Sequence, residues 1–239
     1  MKILGIEASA KVASAALLSD GVIISEKSTN GPMTHSQTLM PMVDDVLRAV
    51  NADGHDLDMI AVTEGPGSFT GLRIGAATAK GLSIGYDVPV MPLSTLEALA
   101  YNLVGMQGLI VPVMDARRKQ IYTAVYQSTE GELHVLKEPD AIPAADMVRF
   151  LLMQCGKIHL LGDSSVVEAA DRFQEIASRC IIAGPHQACL RAASVCALAA
   201  WKYAAGVRPV ASDAWSIEYL RKPQAERERE AKLRAEGTL

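Results

Sequence analysis

The stretch Ala61–Ser83, AVTEGPGSFTGLRIGAATAKGLS, decides how this chain is read. A β-like run ends at Thr63, a turn of glycines and proline follows, and from Thr70 the small residues take helical spacing. A helix opened by a glycine-rich turn is suited to anions: its first N–H groups lack intrahelical acceptors and its dipole adds partial positive charge. Arg73, near the start of that helix, could add a guanidinium. The pattern departs from both common nucleotide loops, however. It is not GxxxxGK[ST], and after Gly65 and Gly67 the next glycine, Gly71, comes one position late for GxGxxG.

The remaining glycines suggest a second use. Gly71, Gly75 and Ala79 recur at i, i+4 and i+8, a smooth helical face that lets another element approach closely. A helical glycine costs roughly 1 kcal/mol relative to alanine, so close packing has to offset it. Packing surface and ligand loop both remain open at this level.

Working outward, β-type runs occur at Lys2–Ala8, Val12–Leu18 and Val22–Lys27, with Ser19-Asp20-Gly21 as a hairpin turn. Apolar spacing predicts a helix over His35–Val50, then a strand over Met59–Thr63, the helix Thr70–Gly85 and a strand over Val88–Leu93. Ser94 caps a further helix reaching about Leu103, with Glu97 at the capping-box position. The second half restarts the same order. Strands are expected at Leu109–Met114, Gln120–Tyr126 and Leu133–Lys137, a helix at Pro143–Gln154, and a strand at Lys157–Leu161. A helix over Ser164–Ser178, a short strand at Ile181–Ile182 and a helix over Leu190–Ala205 complete it. A three-strand meander followed by alternating helices and strands thus occurs twice, which predicts a duplicated α/β fold. The expected units are 1–105 and 106–220, followed by a charged tail over 221–239 that interleaves both signs without an apolar stripe.

The net charge of −4 does not announce a nucleic-acid protein, although a local basic patch remains possible. Cys155, Cys180, Cys189 and Cys196 form no CxxC pair and read as free thiols of a reducing compartment. No apolar run approaches the roughly 18 residues of a membrane span, so a soluble, cytoplasmic protein is expected. The five histidines make no HxxxH or HExxH, and no G-x-S-x-G elbow surrounds a serine, so neither zinc nor nucleophile chemistry is supported. Two strand-end acids stand out. Glu7 faces the glycine turn in the predicted order, where it could orient a phosphate or metal or simply cap a turn. Asp115 precedes Arg117-Arg118-Lys119, which read either as a local ion pair or as a contact to substrate or RNA phosphate.

The glycine stretch, MDARRKQIYTAVY and YLRKPQAE together resemble the TsaB (YeaZ) family, from Ile3 to about Glu226. Ser68-Phe69-Thr70-Gly71-Leu72-Arg73 and Tyr219-Leu220-Arg221 favour it over the catalytic paralogue TsaD. The resemblance implies an actin-like ATPase (ASKHA) superfold of two ribonuclease-H-like βββαβα halves. It also implies a partner subunit in the transfer of threonylcarbamoyl from its adenylate to the adenosine 3′ of the anticodon, in tRNAs reading A-starting codons. The implied partners are a TsaD-type catalytic subunit and a TsaE-type ATPase, with a homodimer when alone and tRNA engaged through the complex. No cofactor is implied. TsaD-like proteins carry a metal-binding His-Leu-Glu-Gly-His where this chain has Thr95-Leu96-Glu97-Ala98-Leu99, so no catalytic role is expected. Mapped onto this chain, the family's paired helices suggest a partner face of Leu39, Met42, Val43, Val46, Leu72, Gly75, Ala76 and Ala79, unless these residues face their own sheet. Glu7, Ser9, Gly65, Gly67 and Ser68 would be the remnant of an anion loop. The competing expectation is a free-standing enzyme of the same superfold, an ATP-dependent kinase or a metallopeptidase.

Overall fold

A computed structural model describes residues 1–163, 174–217 and 220. The first half contributes β1 (Lys2–Glu7), β2 (Ala13–Ser19), β3 (Val22–Thr29), α1 (His35–Arg48), β4 (Met59–Gly65), α2 (Phe69–Tyr86), β5 (Val90–Ser94) and α3 (Thr95–Ala100). The second contributes β6 (Gly108–Asp115), β7 (Gln120–Thr129), β8 (Glu132–Pro143), α4 (Ala144–Leu152), β9 (Ile158–Gly162), β10 (Cys180–Ile182), α5 (Pro185–Ala188) and α6 (Ala192–Ala204). The sheets run β3-β2-β1-β4-β5 and β8-β7-β6-β9-β10, the same order twice. In each, the first three strands are antiparallel and the last two join in parallel. The duplication read from element order is therefore present in the pairing itself.

Alternation along β1 explains the layering. Leu4 and Ile6 point to one side and Ile3 to the other, all fully buried, so both faces of this sheet must be covered. On the outer side, α1 and α2 supply Leu39, Met42, Val43, Val46, Ala76, Ala79 and Leu82. On the inner side, α3 and α6 fill the space between the two sheets, meeting Met91 and Leu93 of the first and Ile110, Ala124 and Tyr126 of the second. α4 covers the far face of the second sheet through Met147, Val148 and Leu151.

The halves exchange material. α6 belongs to the second half in sequence, yet it lies on β1 and β2 and its N-terminus is capped from the first sheet. Ser14 Oγ accepts the Ala192 N–H at 2.9 Å and Glu26 Oε1 accepts that of Ala193 at 3.1 Å. The approach is close enough that a Cβ at Gly5 would stand 2.5 Å from Cys196 Sγ and 2.6 Å from Ala192 O. Val210, inside the expected 106–220 unit, bridges to Val90 on the edge of the first sheet, and Trp215 is buried in the first-half core.

Some expected elements differ. β8 is longer than predicted because its outer residues pair with β7 out to Pro143, and α4 starts only after that proline. The expected helix over Ser164–Ser178 falls largely outside the described residues, and Gln174–Arg179 is a short 3-10 segment. The charged tail 221–239 also lies outside them. Among the described residues, no helix is long and apolar enough to cross a membrane.

Candidate functional site

The structure locates three places that the sequence singled out, two at strand ends and one on the helices α1 and α2. The first is the turn Gly65–Ser68 with the β1–β2 connection. Ser68 caps α2, its Oγ accepting the Gly71 N–H at 3.3 Å. The Ser68 N–H donates to Ser9 O at 2.7 Å. Gly67 and Gly71 are dictated by the same contact: a Cβ at Gly67 would lie 2.4 Å from Ser9 O, and one at Gly71 2.0 Å from Ala8 O. Gly65 takes φ +131°, a conformation open in practice only to glycine. His35 Nε2 is hydrogen-bonded to Ala10 O at 2.8 Å, so α1 pins the turn from the other side.

The carbonyls of Ala8 and Ser9 thus press directly on the start of α2. The Ser9 oxygen already takes the Ser68 N–H, and both carbonyl oxygens present negative partial charge, which repels an anion. Glu7 completes the knot from below. It is fully buried; Oε1 accepts Ser9 N–H at 2.6 Å and Ser9 Oγ–H at 2.5 Å, and Oε2 accepts Thr63 Oγ1–H at 2.6 Å. Burial pushes its carboxyl pKa above the usual range, with the hydrogen bonds from Ser9, Thr63 and the Ala10 backbone pulling the other way. The structure therefore brings Glu7, Ser9, Gly65, Gly67 and Ser68 together, as a tie between β1, β4 and α2.

The second place is the proposed partner face, and here the expectation is corrected. Leu39, Met42, Val43, Val46, Leu72, Ala76 and Ala79 are at most 5% exposed and Gly75 is buried with them; all of these but Leu72 and Gly75 pack their side chains in the chain's own first-half core. The Gly71–Gly75–Ala79 row lets α2 lie on its own sheet, with Gly75 facing Ala8 and Val62 at 3.4 and 3.8 Å from an added Cβ. A different face of the pair is open. Ala77, Gly81 and Gly85 are exposed at the same i, i+4, i+8 spacing, Ile84 is 77% exposed, and Met40 on α1 is 45% exposed. An added Cβ at Gly81 or Gly85 would meet nothing within 4 Å. The sequence holds both small-residue rows on one helix.

The third place is the β6–β7 hairpin, which by sheet order is the second-half counterpart of the β1–β2 turn. Asp115, the last residue of β6, accepts the Arg117 N–H through Oδ1 at 2.7 Å, as Glu7 does from the residue two positions on. Asp115 Oδ2 also pairs with Arg117 at 3.4 Å, both side chains well exposed. Arg117, Arg118 and Lys119 have φ of +62°, +54° and +62°, three consecutive left-handed residues without a glycine. That conformation costs about 1–2 kcal/mol per residue.

At the position of the paralogue's metal motif, Thr95 and Leu99 are buried in the layer between the sheets, and the Thr95 hydroxyl has no hydrogen-bond partner among the described residues. Ser94 caps α3, accepting the Glu97 N–H at 3.4 Å, while the Glu97 carboxylate pairs with Lys202 of α6 at 2.8 Å. Tyr126, buried opposite and hydrogen-bonded to Ser94, has its phenol pKa pushed up chiefly by burial. Among the described residues, no three His, Cys, Asp or Glu side chains cluster as a metal site. At the other end of the second sheet an open cavity of about 760 Å³ is lined in part by Gln107, Gln127, Lys157 and His159; His159 is buried and held by Gln107 O at 3.1 Å.

Comparison with known proteins places this geometry. Residues 25–225 match the family model described as TsaD: tRNA N6-adenosine threonylcarbamoyltransferase. The tRNA threonylcarbamoyladenosine biosynthesis protein TsaB of Bacillus subtilis is 38% identical over 162 residues, covering 68% of this chain and 71% of that protein. A crystal structure from Pseudomonas aeruginosa, described as similar to peptidase YEAZ, superposes with a TM-score of 0.79 at 26% identity, covering 92% of this chain and 99% of that one. The ROK hexokinase of Thermus thermophilus superposes at a TM-score of 0.50 and 10% identity over 86% of this chain and all of its own, a likeness of fold alone. With two ribonuclease-H-like sheets of one order, an actin-like architecture and a TsaB relative matched over most of its length, the chain belongs to the TsaB (YeaZ) family.

Proposed function

We propose that this chain works in tRNA threonylcarbamoyladenosine biosynthesis as a non-catalytic partner subunit. It would support a TsaD-type enzyme that moves threonylcarbamoyl from its adenylate to the adenosine 3′ of the anticodon in tRNAs reading A-starting codons. The observation that carries the reading is the filled anion loop. The Ala8 and Ser9 carbonyls pack against Gly71 and Gly67 and Ser9 O takes the Ser68 N–H, which leaves the turn closed, and Thr95 and Leu99 are buried in core, at the positions the resemblance pairs with the paralogue's metal histidines.

The docking face in this reading is the outward side of α1 and α2, around Met40, Ala77, Gly81 and Ile84. Small residues there let a partner helix approach closely, and the methionine and isoleucine supply apolar area to bury. The same face serves a TsaD-type subunit or, when the chain is alone, a second copy. A TsaE-type ATPase would join the assembled pair. In this reading the work is done in the cytoplasm.

Size-exclusion chromatography of the purified chain mixed with a TsaD-type subunit tests this. A heterodimer is expected, and Gly81→Arg or Ile84→Glu should abolish it while leaving the fold intact. Deleting the gene should remove the modified nucleoside from tRNA. ATP turnover or one equivalent of bound metal in the isolated chain would favour a free-standing kinase or metallopeptidase of this fold.

A further inference from the structure

We propose that the tip of the β6–β7 hairpin, Arg117-Arg118-Lys119, is a contact for the phosphate backbone of RNA; the choice of RNA rests on the reading above. The two hairpins of this duplicated fold are built alike, each with a strand-end carboxylate holding the N–H two residues on. Their fates differ. In the first-half turn Ala8 and Ser9 are buried against α2, Ser9 O accepts the Ser68 N–H at 2.7 Å and Ala10 O is hydrogen-bonded to His35 Nε2 at 2.8 Å. The second-half turn is exposed at all three basic residues, and its backbone bonds stay within the turn: Gln120 N–H to Arg117 O at 3.1 Å and Ala116 N–H to Gln120 O at 3.1 Å.

Charge singles it out further. Asp115 offsets Arg117, but neither Arg118 nor Lys119 has an ion-pair partner among the described residues. Two uncompensated cations thus stand side by side on a chain whose net charge is −4. Unbalanced charge placed on three successive left-handed residues is unfavourable for the free chain, which glycine or asparagine would relieve. An open, convex tip has no walls to enclose a small anion, whereas guanidinium and ammonium groups on such a tip suit the repeating phosphates of a nucleic acid backbone. The contact would position tRNA without reading its sequence, because phosphate contacts carry no base information.

The test is tRNA binding by fluorescence anisotropy, on the full chain alone and on its mixture with a TsaD-type subunit. Arg118→Gln with Lys119→Gln should weaken binding about tenfold at low salt and flatten the slope of log K against log salt by about 1.4–1.8, the share of two phosphate contacts. Arg117→Gln, at a residue already paired, should cost less. Arg118→Gly with Lys119→Gly removes the same charges while suiting the positive φ. It should bind as weakly yet melt no lower, which separates lost charge from lost structure. Unchanged affinity and salt slope in the double variants would overturn the proposal, as would absence of tRNA binding by the wild-type chain in both settings. Binding of poly-L-glutamate more tightly than tRNA at matched charge would likewise overturn it, marking an acidic-protein surface instead. Heterodimer formation is read separately, so a failed RNA contact with an intact heterodimer refutes this inference and leaves the subunit reading standing.

Discussion

Gly71 and Gly75 lie one turn apart on α2, and the same substitution at each should have opposite effects. At Gly71 an alanine Cβ would stand 2.0 Å from the Ala8 carbonyl oxygen, so α2 and the β1–β2 turn must part by about 1 Å to reach even 3.0 Å. That movement stretches the 2.7 Å bond from Ser68 N–H to Ser9 O, worth about 1 kcal/mol, and adds about 1–3 kcal/mol of overpacking. Alanine's better helix propensity returns roughly 1 kcal/mol. Gly71→Ala should therefore lose about 1–3 kcal/mol, which for a chain of this size lowers the melting midpoint by about 3–10 °C. At Gly75 the added Cβ meets only Ala8 Cβ at 3.4 Å and Val62 Cγ2 at 3.8 Å, ordinary contact distances. Gly75→Ala should be neutral or up to about 1 kcal/mol more stable. Urea unfolding followed by circular dichroism, with calorimetric midpoints alongside, measures both on the same slope. If Gly71→Ala is as stable as wild type, or if both variants fall equally, then the turn does not press on α2 as described and the filled anion loop is refuted.

Three further outcomes follow from the same geometry. The buried Glu7 carboxyl has a raised pKa, so its folded form favours the proton; stability should be highest below the unfolded value near 4.5 and decline as pH rises through the folded pKa. Glu7→Gln, which keeps an acceptor for Ser9, should flatten that decline in urea midpoints measured from pH 4 to pH 8; an unchanged slope would assign the pH dependence elsewhere. Gly81→Ala on the open face should raise the melting midpoint of the monomer, since its Cβ meets nothing within 4 Å, and yet weaken heterodimer formation in analytical ultracentrifugation; tighter association would exclude this face as the docking surface. Thiol titration of the native protein should modify Cys155 and Cys189 fast and Cys196 only on unfolding, because Cys196 is fully buried and its thiol is pushed up to about 12; rapid loss of the Cys196 thiol would contradict its packing against Gly5.

Much of the architecture was legible from residues alone. The short apolar run of β1 and the 3.6-residue spacing of Leu39, Met42, Val43 and Val46 are local signals, and they name strand and helix correctly because a strand covered on both faces is apolar throughout and a one-sided helix is not. Element order exposed the duplication for the same reason: each half repeats the connections that its sheet order requires. The strand-end acids, the capping serines Ser68 and Ser94 and the glycine turn were likewise visible.

What an amphipathic pattern cannot carry is which surface it is buried against. Leu39 and Ala79 read equally well as core or as a partner face, and only the position of the first sheet beneath α1 and α2 decided for core. Nor does local sequence indicate that α6 and Trp215 cross to the first half, because contacts between distant segments depend on where the whole chain has gone. The glycine turn is the sharpest case. Its residues specify a helix start with free N–H groups and room for an anion. Only the tertiary structure brings a carbonyl oxygen from Ser9, some sixty positions earlier in the chain, onto the Ser68 N–H at that helix start.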